Sequence, residues 1–303
     1  MLPISVKLPS NFLDEEVRED YTVSTQMKKV WAVEIDLLIQ LINVCKKHAI
    51  QIFANGGTLL GAVRHHGMIP WDDDIDMFMT RNEYNRLCSV AEEEFRHPYF
   101  FQTEETDPGS IRGHAQLRNS ETAGILKYEG KGFKFNQGIF IDIFVLDNYP
   151  DDPRERKDYC MRIRELSQEI LKRRERGRYY TDKSNLYSVC KRYAKWLLYD
   201  YILRFRKEYK HLYLEREKLY QKYNDTETKL YIQSTFARDK SAFKKEIFDG
   251  VLWMDFEWFK VPVPVGYLSY LGQIYGNWRK FVVGNSEHGE VFFDPENSYK
   301  KYI

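Results

Sequence analysis

Residues 56–79 read GGTLLGAVRHHGMIPWDDDIDMFM, a stretch in which a glycine pair precedes four aspartates. The preceding residues IQIFA predict a short buried strand that ends at Gly56 and Gly57, and TLLGAVRH predicts a helix that begins directly after the glycines. DIDMFM alternates charged and apolar residues, which predicts a half-buried strand with Asp74 and Asp76 on one face. The stretch therefore predicts a strand, a glycine turn, a helix and a second strand that carries two acids.

A third acid lies within the strongest strand pattern of the chain. GIFIDIFVLDN is an apolar run with Asp142 in its middle, and burial of a lone carboxylate is costly unless a cation or hydrogen-bond donors lie nearby. If this strand lies beside the strand of Asp74 and Asp76, the three carboxylates converge, and a metal ion or protonation has to relieve their repulsion. A metal ion suits phosphate chemistry, because Mg²⁺ prefers oxygen ligands and commonly binds one or two carboxylates together with substrate phosphates.

The glycine pair supplies the other half of a phosphate site. Glycines let backbone N–H groups approach an anion closely, and the N-terminus of the following helix favours negative charge. Each feature alone has a common structural explanation: a glycine pair is usually a turn, an acid pair often lies on a surface strand, and Asp72 and Asp73 are typical of a loop. Their combination indicates a site in which carboxylates hold cations against a diphosphate.

Composition limits the class of protein. The 303 residues are 43% hydrophobic, enough for a sizeable core, and 46 Lys and Arg nearly balance 45 Asp and Glu. Residues 154–222, however, hold 21 Lys and Arg against 10 Asp and Glu, together with many aromatic residues. This region predicts either a solvated helical pair packed on the core or a peripheral contact with an anionic membrane. It shows no nucleic-acid-binding motif, so nucleic acid is not a predicted partner.

The chain also predicts its compartment and its division into parts. The four cysteines show no disulfide or zinc spacing, and no signal sequence or apolar span is present, so we predict a cytoplasmic protein, with the inner face of the membrane as an alternative. Ser24 caps a helix predicted over 25–48. We predict a catalytic core over 1–150, a basic, aromatic-rich helical insert over 151–224, and a C-terminal segment over 225–303 that packs back on the core.

The stretch GGTLLGAVRHHGMIPWDDDIDMFM together with GIFIDIFVLDN resembles the LicD family of phosphotransferases, relatives of fukutin and fukutin-related protein within the nucleotidyltransferase-fold superfamily. The segment FEWFKVPVPVGYLSYLGQIYGNW is similar to the C-terminal segment of that family. The resemblance covers roughly residues 27–146 and 245–280, and the basic helices between them match no family motif. It implies an α/β (α+β) fold, a nucleotidyltransferase-like mixed sheet flanked by helices, here with an added helical subdomain.

The resemblance also implies a reaction. A CDP-linked alcohol, often CDP-choline, would donate its phospho-alcohol to a hydroxyl of a cell-surface glycan, lipid-linked glycan or teichoic acid precursor, and CMP would leave. One or two Mg²⁺ ions, or Mn²⁺ in their place, would act as cofactor. Asp74 and Asp76 would bind the metal on the donor diphosphate, and Asp142 would bind the second cation or take the acceptor proton as general base.

Further residues are candidates for contacts in this site. Gly56 and Gly57 would bind the donor phosphates, and Arg64, one turn along the helix, would either neutralise them or form a surface salt bridge. Candidate contacts to the donor or acceptor are Trp71, Arg118, Tyr275 and Trp278. Arg118 would contact the donor or brace the acidic cluster, with a structural ion pair as an equally common role, whereas packing is the more common role of the three aromatic residues.

Three other functions stay open at this point. The same site could transfer phosphoribitol or phosphoglycerol, or it could transfer a nucleotidyl group from a nucleoside triphosphate with loss of pyrophosphate. A non-catalytic scaffold with a structural cation is the alternative from another class. Choline would need aromatic faces, because a quaternary ammonium donates no hydrogen bond, whereas ribitol or glycerol would need polar side chains.

Overall fold

A computed structural model gives the structure of the protein and describes residues 2–127, 129–130, 133–176, 190, 194, 209–284 and 290–303. The strands are β1 (Glu16–Arg18), β2 (Tyr21–Val23), β3 (Phe53–Ala54), β4 (Asp76–Thr80), β5 (Tyr99–Gln102), β6 (Ala115–Asn119), β7 (Ala123–Leu126), β8 (Ile139–Tyr149), β9 (Leu230–Gln233), β10 (Ala242–Lys244), β11 (Val251–Phe256), β12 (Phe259–Pro264) and β13 (Val291–Asp294). The α-helices are α1 (Thr25–Lys47), α2 (Gly56–Arg64), α3 (Arg81–Glu94), α4 (Pro153–Arg176), α5 (Lys210–Tyr220) and α6 (Tyr267–Tyr275).

A mixed sheet built around β8 forms the centre of the fold. The strand order is β10-β9-β8-β4-β3, with β6 also paired to β8 and β5 paired to β6. The β4–β8 pair is parallel, and the other pairs of this sheet are antiparallel. The long strand β8 therefore has β4 along one edge and β6 and β9 along the other. The predicted α/β fold, a mixed sheet flanked by helices, is confirmed.

Helix α1 covers the sheet because its sequence repeats apolar residues with helical spacing. The Ser24 side chain accepts a hydrogen bond from the N–H of Met27, which satisfies one of the free donors of the first turn. Trp31, Val33 and Leu37 on the inner face have no exposed surface and join the main core with residues of β6 and β8. The prediction of this helix over 25–48 is confirmed, with its last turn at Lys47.

Two details near the glycine pair differ from the prediction. Helix α2 begins at Gly56 and includes both glycines, whereas we expected it to begin after them. Strand β4 begins at Asp76, so Asp74 lies in the loop before this strand, whereas we expected it within the strand. The residues before Asp76 are held elsewhere: the N–H of Asp72 donates to the carbonyl of Ile69, and the indole N–H of Trp31 donates to the carbonyl of Asp72.

The basic region is only partly described. Helices α4 and α5 lie at its two ends and pack on each other. The middle of the helical insert predicted over 151–224, residues 177–189, 191–193 and 195–208, lies outside the described part of the chain. Among the described residues, no helix combines the length and apolarity needed to cross a membrane.

The C-terminal segment returns to the core at several places. Strands β9 and β10 complete the central sheet, and β11 and β12 form a hairpin whose inner residues Val261 and Val263 are buried. The tail, for which the sequence predicts no structure, contributes β13, which pairs with β7 rather than with the central sheet. The boundaries of the three predicted parts stay a prediction.

Candidate active site

Three side chains from neighbouring strands form a row across the centre of the sheet. Asp142 of β8 is in register with Asp76 of β4 on one side and with Gln116 of β6 on the other. Residues in register on adjacent strands point to the same face of a sheet, and adjacent strands lie about 4.8 Å apart. The N–H of Asp142 also donates to the carbonyl of Ile75 at 2.9 Å, which extends the pairing by one residue. The expectation that the strand of Asp142 lies beside that of Asp76 is confirmed.

A second group of acids lies in the loop that precedes β4. The carboxyl groups of Asp72 and Asp74 share a hydrogen bond, which requires a proton on one of them. Burial raises the pKa of Asp72 well above its usual range, and the charges of Asp74 and Asp73 raise it further. Repulsion among these carboxyl groups is therefore part of what raises the pKa of Asp72, and a bound cation would relieve that repulsion.

The glycine pair lies directly against these acids. A Cβ added to Gly56 would lie 3.4 Å from Oδ2 of Asp76 and 3.8 Å from the hydroxyl of Tyr275, and Gly56 also has a positive φ of 49°. A Cβ added to Gly57 would lie 2.4 Å from Oδ2 of Asp72. A side chain at either position would occupy the space in front of the carboxylates, so glycine keeps this space open.

Helix α6 fixes the entry to α2. The N–H of Gly56 donates to the hydroxyl of Tyr270 at 3.3 Å, and that hydroxyl donates to the side-chain oxygen of Asn55. The N–H of Asp76 donates to the hydroxyl of Thr58 at 2.8 Å, which ties the first turn of α2 to the start of β4. The amide of Gly56 is therefore already engaged within the protein, and its predicted role in phosphate binding stays a prediction.

Asp142 is held by two neighbours that the sequence analysis did not single out. Nε2 of Gln116 donates to Oδ1 of Asp142 at 2.6 Å, and Nε2 of His114 lies 3.1 Å from the same oxygen. Burial works to raise the pKa of Asp142, but His114 and the Gln116 hydrogen bond outweigh it, and the pKa lies below its usual value. Asp142 is therefore ionised at neutral pH.

Arg118 lies behind this row and has no exposed surface. It donates to Oε1 of Gln116, to Oε1 of Gln102 at 2.6 Å and to the carbonyl of Gly138 at 2.6 Å. Burial lowers the pKa of Arg118 to about 9, and Arg112 lowers it as well, so the guanidinium is still charged at neutral pH. Of the two predicted roles, the contacts favour bracing of the acidic site over contact with a donor.

Arg64 is engaged with the C-terminal segment. Its Nη1 donates to the carbonyls of Trp278 at 2.9 Å and Lys280 at 3.3 Å, and its guanidinium lies 4.8 Å from the ring centre of Phe281. Burial lowers the pKa of Arg64, and the nearby Tyr275 raises it. These contacts place Arg64 between α2 and the segment after α6, and its predicted role in phosphate binding stays a prediction.

The aromatic candidates fall into two groups. Tyr275 is 40% exposed, with its hydroxyl beside Gly56, so it lies at the site. Trp71 and Trp278 pack against the main core, and the Trp71 ring lies 6.0 Å from that of His65. The structure therefore brings Tyr275 to the carboxylates and gives the two tryptophans packing contacts.

The residues fit a metal ion only as a two-carboxylate site. Among the described residues, no group of three or more His, Cys, Asp or Glu side chains is close enough to share one ion, so the predicted set of Asp74, Asp76 and Asp142 is not assembled. The in-register pair of Asp76 and Asp142 offers hard oxygen ligands on one face, and Mg²⁺ commonly uses one or two carboxylates, with water and phosphate as the other ligands. This donor set fits Mg²⁺.

Comparison with known proteins shows which family this chain resembles. A family model described as LicD/FKTN/FKRP, nucleotidyltransferase domain, matches residues 49–172. The chain is also 29% identical over 238 residues to the lipopolysaccharide cholinephosphotransferase LicD of Haemophilus influenzae, an alignment that covers 78% of this chain and 85% of that protein. This protein carries a LicD family domain. The LicD domain includes the glycine pair, β4 and β8, the elements that form the site described above.

A second relative matches a shorter part of this chain. The chain is 41% identical over 77 residues to the uncharacterized protein RP689 of Rickettsia prowazekii, an alignment that covers 25% of this chain and 27% of that protein. The resemblance to LicD phosphotransferases is confirmed, and the matches support a phosphotransferase enzyme. The donor, the metal and the role of each site residue stay predictions.

His114, Gln116 and Tyr270 are the site residues that the sequence analysis missed. HAQLRN is a recognisable strand, and its alternation places residues 114, 116 and 118 on one face. This signal could have pointed to Gln116 once Arg118 was a candidate. Nothing in the local sequence around Tyr270 indicates that its hydroxyl reaches Gly56, 214 positions earlier in the chain, because that contact depends on the packing of α6.

Proposed function

We propose that this protein transfers phosphocholine from CDP-choline to a hydroxyl of a cell-surface glycan with Mg²⁺ as cofactor. The observation that carries the proposal is the in-register pair of Asp76 and Asp142, which faces the open space in front of Gly56 and Gly57. The similarity to a lipopolysaccharide cholinephosphotransferase supports phosphocholine as the group and a lipopolysaccharide-type glycan as the acceptor.

The side chains have separate roles in this reaction. Asp76 and Asp142 would hold the ion, and Mg²⁺ would offset the charge of the diphosphate. The acceptor oxygen forms a bond to the choline-bearing phosphorus, the bond from that phosphorus to the bridging oxygen breaks, and CMP leaves with the electron pair. Asp142 also accepts the hydroxyl proton, because it lies beside Asp76 and its lowered pKa keeps it ionised.

Aromatic rings beside the carboxylates support choline over a polar alcohol. Phe144 follows Asp142 by two residues on β8 and therefore lies on the same face. Its ring centre is 5.7 Å from that of Phe236, which is 38% exposed. Tyr275 lies on the glycine side of the site. A quaternary ammonium binds to aromatic faces with about 0.5 to 2 kcal/mol for each contact.

The experiment is a donor panel followed by phosphorus NMR. The protein is incubated with Mg²⁺, lipopolysaccharide and, in turn, CDP-choline, CDP-ethanolamine, CDP-ribitol, CDP-glycerol or CTP. We expect CMP and a new phosphodiester signal with CDP-choline. A response to CDP-ribitol or CDP-glycerol alone would replace choline by that alcohol, and pyrophosphate from CTP would establish nucleotidyl transfer instead.

Two variants separate the enzyme from a scaffold. Asp76→Asn is expected to stay folded and to lose transfer by about a hundredfold or more, because it removes a charge that faces the diphosphate. Asp255→Asn is the control, since Asp255 is an exposed residue of the β11–β12 hairpin and pairs with the exposed Lys260. A scaffold with a structural cation would instead show a lower melting temperature for Asp76→Asn and no transfer by the unchanged protein.

A further inference from the structure

The Asp142 carboxylate is held on one oxygen only. Both hydrogen bonds that the described residues make to it end at Oδ1, from Gln116 and from His114. Asp142 keeps 16% of its side chain exposed, although Gln116 beside it is almost completely buried. The two oxygens of Asp142 therefore differ: Oδ1 is fixed by the protein, and Oδ2 receives no hydrogen bond from the described residues.

The orientation of the Gln116 amide follows from the chemistry of its other partner. A guanidinium only donates hydrogen bonds, so the atom of Gln116 that meets Arg118 must be its oxygen. The opposite end of the amide, which donates, then faces Asp142. Arg118 is itself held by Gln102 and the carbonyl of Gly138, so the direction of the whole chain of donors is determined.

The side-chain amide of Gln116 also separates the positive charge of Arg118 from the negative charge of Asp142. A direct bond from Arg118 to Asp142 would form a buried ion pair and would offset the negative charge that the reaction needs. With Gln116 between them, Asp142 receives a hydrogen bond of 2.6 Å from a neutral group and keeps its charge. The geometry thus orients the carboxylate without a direct ion pair to Arg118.

We propose that Gln116 is a positioning residue for Asp142, fixed by Arg118, that holds Oδ1 and turns Oδ2 toward the reacting groups. The inference rests on the proposed function, in which Asp142 takes part in the transfer. It assigns Arg118 a supporting role behind Gln116 in place of a contact with donor or acceptor. His114 closes the remaining side of Oδ1, and its ring is packed 4.4 Å from that of Phe144.

The test compares two substitutions of Gln116 with a matched control. Gln116→Met keeps the length of the side chain and removes both hydrogen bonds, whereas Gln116→Glu keeps the acceptor for Arg118 and removes the donor to Asp142. Gln137→Met is the control, because Gln137 is equally buried and its side chain, among the described residues, bonds to the backbone of Gly130 and Phe133. The readouts are kcat, KM for CDP-choline, the melting temperature, and the Kd of Mn²⁺ alone by EPR.

We expect both Gln116 variants to lose kcat by about 10- to 100-fold, in line with the loss of partners that orient a ligand side chain, while KM for CDP-choline changes little. The Kd of Mn²⁺ should rise in both. Gln137→Met should lower the melting temperature without these changes. The inference is overturned if both Gln116 variants keep kcat and the Kd of Mn²⁺, or if Gln137→Met reproduces their losses. If Gln116→Met does not fold, Gln116→Glu decides the question.

The outcome also separates this inference from the proposed function. Transfer by the unchanged protein together with unaffected Gln116 variants rejects the inference alone. If the unchanged protein transfers nothing from any donor but binds Mn²⁺, the proposed function fails, and the Kd of Mn²⁺ in the variants still tests the positioning role. A protein that neither transfers nor binds Mn²⁺ rejects both.

Discussion

Gly57 and Asp72 are so close that a Cβ on Gly57 would lie 2.4 Å from Oδ2 of Asp72. Gly57→Ala therefore forces the Asp72 carboxyl to turn away from its hydrogen bond with Asp74. We expect a loss of about 1 to 3 kcal/mol in the free energy of unfolding, typical of overpacking. We also expect a fall in the rate of transfer under conditions in which the variant is still folded. Urea unfolding and CMP release measure the two effects.

Gly272→Ala is the control for this substitution. Gly272 lies inside α6, and a Cβ added there has nothing within 4 Å. Alanine is the better helix former by about 1 kcal/mol, so this variant should be as stable as the unchanged protein or more stable. Equal behaviour of the two variants would show that the space in front of Asp72 has no role.

Arg64 gives a prediction that separates phosphate binding from a structural role. Arg64→Ala removes the two hydrogen bonds to the carbonyls of Trp278 and Lys280, so the segment after α6 loses its attachment to α2. We expect trypsin to cleave after Arg279 and Lys280 several times faster in the variant. Mass spectrometry of the products over time measures this rate. A higher KM for CDP-choline with unchanged cleavage would support the phosphate role instead.

The matched control is Arg86→Ala. Arg86 also donates to two backbone carbonyls, those of His48 and Ala49, but it lies on α3. The variant should leave cleavage at residues 279 and 280 unchanged. If it increases that cleavage as well, the effect of Arg64→Ala reflects general destabilisation.

Tyr270 is predicted to hold the glycine turn in place. Tyr270→Phe leaves the N–H of Gly56 and the side-chain oxygen of the buried Asn55 without their partner. An unsatisfied buried group costs about 1 to 3 kcal/mol, so we expect a loss of that order in urea unfolding and a higher KM for CDP-choline. Tyr231→Phe is the control, because the described residues form no hydrogen bond with the Tyr231 hydroxyl. A loss of stability with an unchanged KM would contradict a role at the donor site.

The acids could be predicted from the sequence because burying a carboxylate within an apolar strand costs free energy unless a partner compensates for it. An apolar strand with Asp142 in its middle and a half-buried strand with Asp76 both need a shared environment, and pairing the two strands provides it. The helical spacing and Ser24 likewise predict α1 within one residue. The positions of α1, Asp76 and Asp142 follow from local residue patterns and from the free-energy cost of burying a charge, and both can be read from the sequence.

Other parts of the fold have no local signal. The pairing of β7 with β13 joins residues more than 160 positions apart, and the tail gives no pattern that indicates its partner. The alternation in DIDMFM continues past the point where pairing stops, since Ile69 and Trp31 hold the backbone of Asp72 outside the strand. Gln116 is a neutral residue in an ordinary strand, and its importance appears only when Asp142 and Arg118 lie on either side of it.

A buried ionisable group joins α5 to the core and predicts a pH dependence of stability. Arg81 donates two hydrogen bonds of 2.8 Å to Asp147, while its Nη1 lies 3.7 Å from Glu217. The charge of Arg81 is therefore offset mainly by Asp147, and Oε1 of Glu217 is buried without a hydrogen-bond partner among the described residues. Burial raises the pKa of Glu217 to about 7, Arg81 and Arg216 oppose this shift, and Asp147 adds to it.

A carboxyl group with a raised pKa binds a proton more tightly in the folded than in the unfolded chain. Its contribution to stability is therefore complete below the unfolded pKa of about 4.3 and is lost as the pH rises toward and through about 7. Glu217→Gln removes the titration, so the variant should gain about 1 to 3 kcal/mol relative to the unchanged protein between pH 5 and pH 8. Melting temperatures at a series of pH values measure the difference, and Glu215→Gln, on the exposed face of α5, should show none. A difference between Glu217→Gln and the unchanged protein that stays constant with pH would show that Arg81 fully compensates the Glu217 charge in the folded state.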